Sequence, residues 1–149
     1  MTDLNQPGSI ERAIAIADLH AAVHNYAHMA RNGVEWPTKL RCFTPDAEIV
    51  LPNGTGLPVS RMSEMLQGNE AKYYRHHLTS FDIRFVHKDE AKVTSQLFVI
   101  THKSTHDHWG EWQDRFERGV DGQWRIAEKK LIVDGCDPNG WYAETYGNM

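Results

Sequence analysis

Two adjacent histidines stand directly before a strand-like run in "YYRHHLTSFDIRF", residues 73–85. An imidazole with an ordinary pKa of about 6.5 can take and return a proton at neutral pH once a cleft shields it. Neighbouring residues of a strand face opposite sides, so at most one of His76 and His77 can enter an interior. The bland alternative is a solvated turn at the start of a strand. Tyr73, Tyr74 and Arg75 come just before the pair, placed either to polarise a substrate oxygen or simply to sit at a rim.

Other clusters carry less chemistry. His20, His24 and His28 recur at every fourth residue and form one helical stripe. Two histidines at that spacing can begin a metal site, but no H-E-x-x-H motif follows, and a boundary stripe or subunit contact is the preferred reading. "THKSTHDHWG" gathers His102, His106, Asp107 and His108, a metal triad on paper. Turns between long strands are usually solvated, and that is the reading adopted. No nucleophile elbow, phosphate loop or zinc-ligand spacing is present. No metal or organic cofactor is assigned.

The elements that must position these groups follow from periodicity. Residues 1–8 read as a flexible tail ending in Pro7-Gly8, and 9–149 as a single domain. Ser9 is a fair N-cap for a first helix whose Leu19, Val23, Tyr26 and Ala30 make one apolar stripe. Asn32-Gly33 is a natural helix end and equally a position at the mouth of a pocket. A short helix starts near Pro37, "DAEIVL" reads as a strand, and "SRMSEMLQGNE" as a short helix capped by Ser60. Four further strands follow over short turns, "LTSFDIRFV", "AKVTSQLFVITHKS", "EWQDRFERG" and "QWRIAEKKLIVD", which must pair antiparallel. Helices first and a curved antiparallel sheet after them define an α+β fold, a cone wrapped around the N-terminal helix with a hollow end suited to a small molecule.

Strand alternation sorts the wall. Trp112, Asp114 and Phe116 share one face, as do Ser95, Leu97 and Val99 on the strand before. Asp114 is costly if buried alone and needs a partner such as an arginine, or a ligand. Tyr26, on the inner stripe of the first helix, is either core or a hydrogen-bond donor to a substrate oxygen.

Composition narrows the partners. With 149 residues, 24% charged and 40% hydrophobic, the chain is of ordinary globular make-up. A net charge of −4 and dispersed Lys and Arg argue against nucleic acid and anionic membranes. Two cysteines, no apolar leader and no apolar run of spanning length lead to a reduced, cytoplasmic protein without a membrane segment.

Three stretches, "YAHMARNGVEWPTKLRCFTPDAEIVL", "YRHHLTSFDIRFVHKDEAKVTSQLFV" and "RFERGVDGQWRIAEKKLIVDG", resemble the SnoaL-like branch of the NTF2-like superfamily across residues 19–135. The family includes scytalone dehydratase, lindane dehydrochlorinase and the small subunits of ring-hydroxylating dioxygenases. The two enzymes work by a His–Asp pair without metal or organic cofactor. Their base histidine matches His76, which makes His77 the outward neighbour; the position of their partner aspartate holds Asn32, and the second histidine of the dehydratase falls on Ser95. An asparagine can hold an imidazole's tautomer but offers no charge to an imidazolium. Glu35 in the neighbouring turn is a possible substitute carboxylate.

The resemblance implies a cofactor-independent lyase or isomerase acting on a small hydrophobic, aromatic or polyketide-like substrate. Dehydration, double-bond shift and small-fragment elimination all fit. His76 moves the proton while Asn32 and Tyr26 orient it or the substrate. Trp36, Phe43, Met62, Tyr74, Arg75, Ser95, Trp112, Asp114 and Phe116 bind the substrate. The resemblance also implies a homodimer or homotrimer through the outer sheet face. The alternative is a non-catalytic ligand-binding or assembly subunit with the same cone.

Overall fold

A computed structural model describes residues 3–31, 33–65 and 68–147. Helix α1 (Ile10–Met29) starts where the Ser9 side chain accepts the Arg12 N–H at 3.1 Å. Its buried residues, Ala15, Leu19, Val23 and Tyr26, are spaced by four, four and three, so they lie on one face. That face covers the inside of a six-stranded sheet. Short α2 (Trp36–Leu40) leads into β1 (Phe43–Val50) and β2 (Gly56–Pro58). The long strands are β3 (Tyr74–His87), β4 (Glu90–Thr101), β5 (His108–Arg118) and β6 (Trp124–Cys136), and α3 (Trp141–Tyr146) closes the described chain.

The strand order is β2-β1-β6-β5-β4-β3. The consecutive strands β3 to β6 are antiparallel, as their short turns require. The sheet as a whole is mixed, because β1 joins β6 in parallel. No hairpin links those two strands, so nothing in their connection imposes an antiparallel pairing. Strand β2, inside what reads as a loop, and α3 are elements that periodicity did not reveal. The segment expected as a Ser60-capped helix is a 3₁₀ turn over Val59–Met65, with Ser60 inside it. Val59 and Met62 bury at a spacing of three, the period of that tighter helix.

Residues 3–8 are not wholly loose. Leu4 is in the core, and Asn5 exchanges two hydrogen bonds with the backbone of Phe85, at 2.7 and 3.0 Å. This covers part of the free edge of β3, where unpaired backbone groups would otherwise invite association. No described helix is long and apolar enough to cross a membrane.

Irregularities in the ladders decide which side chains face inward. Phe116 pairs with Ile126 but Arg115 with Glu128, so Ala127 is an extra residue that reverses the alternation of β6. A second break lies between Trp109 and Gly110, opposite Gly135 and Val133. There Gly110 lies so close to β6 that a Cβ would collide with the carbonyl oxygen of Ile132. Backbone cannot swing aside as a side chain can. Gly110→Ala is therefore expected to lower stability by roughly 1–3 kcal/mol, read by urea denaturation.

Candidate functional site

A cleft of about 260 Å³ opens between the last turns of α1 and the start of β3. His24, Ala27 and His28 line it from the helix, Arg31 from the turn just past it, and Tyr74, Arg75, His76 and His77 from the strand. His76 stands on the inner side of the sheet, its ring 5.2 Å from that of Trp112 and 6.4 Å from that of Tyr74. Its Nδ1 is buried, with no hydrogen-bond partner among the described residues. Burial first, then the positive charges of His108, Lys129 and His77, push its pKa down to about 3. The ring is thus neutral at physiological pH, with a nitrogen left free for a ligand. His77 turns outward and stacks on Phe98 at 4.9 Å.

The other residues read as binding or catalytic divide between cleft and core. Tyr74 lines the cleft, its hydroxyl accepting the Ala71 N–H at 2.9 Å. Arg75 lies at the rim, exposed, its guanidinium over the Tyr73 ring. Trp36 is partly buried under the Lys39 ammonium, while Phe43, Met62 and Phe116 are core. Ser95 is wholly buried opposite Trp112, its Oγ without a partner among the described residues. Tyr26 is buried edge-on to both Phe43 and Trp112. Burial and the Asp114 charge raise its pKa above the ordinary tyrosine range. Asn32 lies outside the described residues; α1 ends earlier than expected, at Met29 with Ala30 as its cap, so Gly33, at a left-handed φ of +80°, stands three residues past the cap and not at the helix end. Glu35 is exposed at the start of α2. His20 and His24 lie against Phe81, at 4.2 and 5.4 Å, as residues of a boundary stripe do.

Asp114 has its partner, and it is a lysine. The Lys129 ammonium donates to both carboxylate oxygens at 2.9 and 3.1 Å, with both side chains fully buried. Its charge also lies over the rings of Trp112 and Tyr26, at 3.9 and 4.3 Å. Burial raises the carboxyl and lowers the amine, and each shift is opposed by the partner's charge. Lysine at this position was missed because plain alternation from Ile126 sends residue 129 outward, and the bulge at Ala127 reverses it. The nearby Cys42 thiol, raised by burial to about 11, stays protonated.

The hairpin residue Asp107 corrects the solvated-turn reading: it is 0% exposed. It accepts from the Thr101 hydroxyl at 2.8 Å, from the Trp141 and Tyr142 amides at 2.6 and 3.0 Å, and from His108 Nδ1 at 2.8 Å. No motif marks this role; the signal available was an Asp-His dipeptide at a strand start with Trp-Tyr downstream. A larger open hollow, about 520 Å³, lies at the far end of the sheet between Arg41 and Arg125. Its Arg118 and Arg125 are already paired with Asp89 and Asp121, so it presents less free chemistry than the imidazole-lined cleft.

A model of the SnoaL-like domain matches residues 11–130. Among solved structures, the chain is similar to a candidate scytalone dehydratase from Novosphingobium aromaticivorans, at 21% identity and TM-score 0.70, covering 83% of this chain and 86% of that one. It is also similar to a Mycobacterium tuberculosis protein of unknown function, at 26% identity and TM-score 0.72, covering 84% and 75%. A third likeness is to the type 3 hexachlorocyclohexane dehydrochlorinase of Novosphingobium barchaimii, at 11% identity and TM-score 0.73, covering 87% and 93%. No curated protein matches the sequence.

Proposed function

The chain belongs to the SnoaL-like domain family, and from that premise we propose that it is a cofactor-independent lyase or isomerase acting on a small hydrophobic substrate. The observation that carries the proposal is His76: a neutral imidazole lining the cleft between α1 and β3, its ring against Trp112 and its buried Nδ1 unclaimed by the described residues. In this reading His76 takes a proton from carbon, and its low basicity means it gives the proton up readily. That suits a C–H acidified by a neighbouring carbonyl or aromatic ring. Asn32 and Tyr26 orient the ring or the substrate oxygen, Tyr74 and Arg75 bind at the rim, and Trp112 forms the wall. Trp36, Phe43, Met62, Ser95, Asp114 and Phe116 support the wall from behind. The protein acts in the cytoplasm as a homodimer or homotrimer, joined through the outer face that carries His77, Phe98 and Trp109.

A non-catalytic binding role is the second reading, favoured by one fact: Trp112, Phe116 and the Asp114–Lys129 pair fill the depth of the cone. The test uses a probe that reports bare proton abstraction. Ring opening of nitrobenzisoxazole begins with loss of a C–H proton and ends in a coloured phenolate. His76→Gln is expected to slow it about 100-fold, the usual weight of one acid–base group, with an unchanged circular dichroism spectrum. Full activity in that variant would sink the assignment of His76 as base. A wild-type protein with no activity above free imidazole favours the binding role.

A further inference from the structure

The cleft that His76 lines carries charge of one sign only. Arg31 stands on its helix side and Arg75 on its strand side, both exposed, and His24, His28, His76 and His77 add imidazoles. No carboxylate is among the described residues that line it. The rest of the protein treats its arginines differently. Arg61, Arg84, Arg115, Arg118 and Arg125 each hold a carboxylate oxygen at 2.6 to 2.9 Å. Arg31 and Arg75 have no such partner among the described residues. Arg75 donates to the Tyr74 carbonyl at 2.9 Å and lies over the Tyr73 ring at 5.3 Å. Those contacts aim the guanidinium without cancelling its charge. The chain as a whole carries a net charge of −4, so a cationic cleft is a local arrangement and not a reflection of composition.

A concave surface lined by one sign of charge concentrates ligands of the other sign. Guanidinium forks match the flat, two-oxygen end of a carboxylate, and such charge-assisted hydrogen bonds are about twice as strong as neutral ones. Size limits what else the ligand carries. At about 260 Å³ the cleft lies below the roughly 300–1,000 Å³ of sites for drug-sized ligands, so one ring with a short acidic arm fills it. Ala27 and Tyr74 face the same space without charge, and His76 offers a neutral ring with a buried, unclaimed Nδ1. Burial and three positive neighbours all work against a proton on His76. A bound anion is the influence of opposite sign, and it would restore basicity that the lining itself withholds.

We infer that the cleft takes a small aromatic carboxylate, its anionic group held at the rim by Arg31 and Arg75 and its ring directed inward to His76. The inward direction of the ring rests on the reading of His76 as base; the anion site itself does not. The carboxylate is an anchor that takes no part in bond breaking. An uncharged ligand of the same shape would leave both guanidiniums to water and bind less tightly, so the rim selects for charge while the cleft volume selects for size.

Cinnamate and cinnamamide test this, because they share a shape and differ in charge. Calorimetric titration of the full chain is expected to show cinnamate binding about 10-fold tighter or more. The preference should shrink as sodium chloride is raised from about 0.05 to 0.5 M, since exposed charges are screened. Replacing both arginines, Arg31→Gln with Arg75→Gln, should bring cinnamate down to the affinity of the amide. Both side chains are exposed, so the double variant keeps its core. Arg41→Gln, in the hollow at the far end of the sheet, should change nothing. Equal affinities for the two ligands, or no binding of cinnamate at millimolar concentration, overturn the inference. A preference that survives the double substitution, or is lost in Arg41→Gln, puts the anion elsewhere and overturns it too. Phenyl phosphate binding more tightly than cinnamate overturns the carboxylate class. Nitrobenzisoxazole opening keeps the two readings apart. A protein that opens it but ignores ligand charge keeps its base and loses this site. One that leaves it intact but prefers cinnamate through Arg31 and Arg75 loses the base and keeps the site.

Discussion

Lys129→Met is expected to cost the fold about 3–5 kcal/mol, the usual result of stripping one partner from a buried ion pair. Methionine keeps most of the lysine stem's volume, so the loss reports charge rather than a cavity. Asp114 would stay at 4% exposure with no cation, and the Trp112 and Tyr26 rings would lose the ammonium lying over them. The carboxyl then has one escape, to bind a proton. Burial already raises it in the native protein, and without Lys129 it must rise further above the unfolded value of about 3.9. A folded pKa above the unfolded one gives stability that is present at low pH and lost as pH rises. The variant's deficit should therefore be small near pH 4 and grow towards pH 8. Adding Asp114→Leu should recover most of the loss, because a well-packed apolar pair in place of buried charges is often neutral or better. Urea titrations of both single variants and the double variant at the two pH values test this. A deficit independent of pH would mean that Asp114 stays ionised by some other route.

Residues in regular strands were legible and residues at irregularities were not. The helix-then-strand order, the inner face of β4 and the inner face of Trp112, Asp114 and Phe116 follow from a period of two, which unbroken strands obey. The need of Asp114 for a cation follows from the cost of burying it alone, without the structure. Which cation was hidden, because a single extra residue at Ala127 flips the face of everything after it. The parallel partnership of β1 and β6 was hidden for a different reason: it joins strands with no local connection. Asp107 reads as a turn residue because its burial is made by Trp141 and Tyr142, more than thirty residues on in the chain. Local pattern cannot see a lid. The cleft itself combines both cases: His76 is placed by strand phase, but Arg31, His24 and His28 reach it only through the way α1 lies across β3.

Asp107→Asn should release α3 at a cost of roughly 3–5 kcal/mol, since each hydrogen bond to a charged group contributes about 1.5–3 kcal/mol. The carboxylate accepts from four donors, two on each oxygen: Thr101 and Trp141 on Oδ2, His108 and Tyr142 on Oδ1. An amide offers one oxygen and one NH₂, so whichever way it turns, one backbone N–H of α3 faces a donor, and either the Thr101 hydroxyl or the His108 ring must reverse its role to accept. Trp141 also donates its indole N–H to the Asn69 carbonyl at 2.7 Å, which alone is too little to hold the helix in register. Hydrogen exchange should show the amides of Trp141, Tyr142 and Ala143 losing protection before the core of the sheet does. Acid should reproduce the effect in the native protein. Burial would raise the Asp107 carboxyl, but the hydrogen bonds from His108, Thr101 and the two amides outweigh it and hold it below the ordinary range. A depressed folded pKa gives stability that is complete above about 3.9 and is lost as pH falls through the folded value. His76 and His108 add a separate loss at higher pH. Both imidazoles lie below their ordinary pKa when folded, so stability falls from about pH 6.5 downward, for His76 to about 3. The native protein should thus lose stability in two stages on acidification, while the Asp107→Asn variant keeps the first and lacks the second. Protection of Trp141 and Tyr142 that survives both the substitution and acid would mean that α3 is held by its aromatic contacts and that Asp107 serves His108 alone.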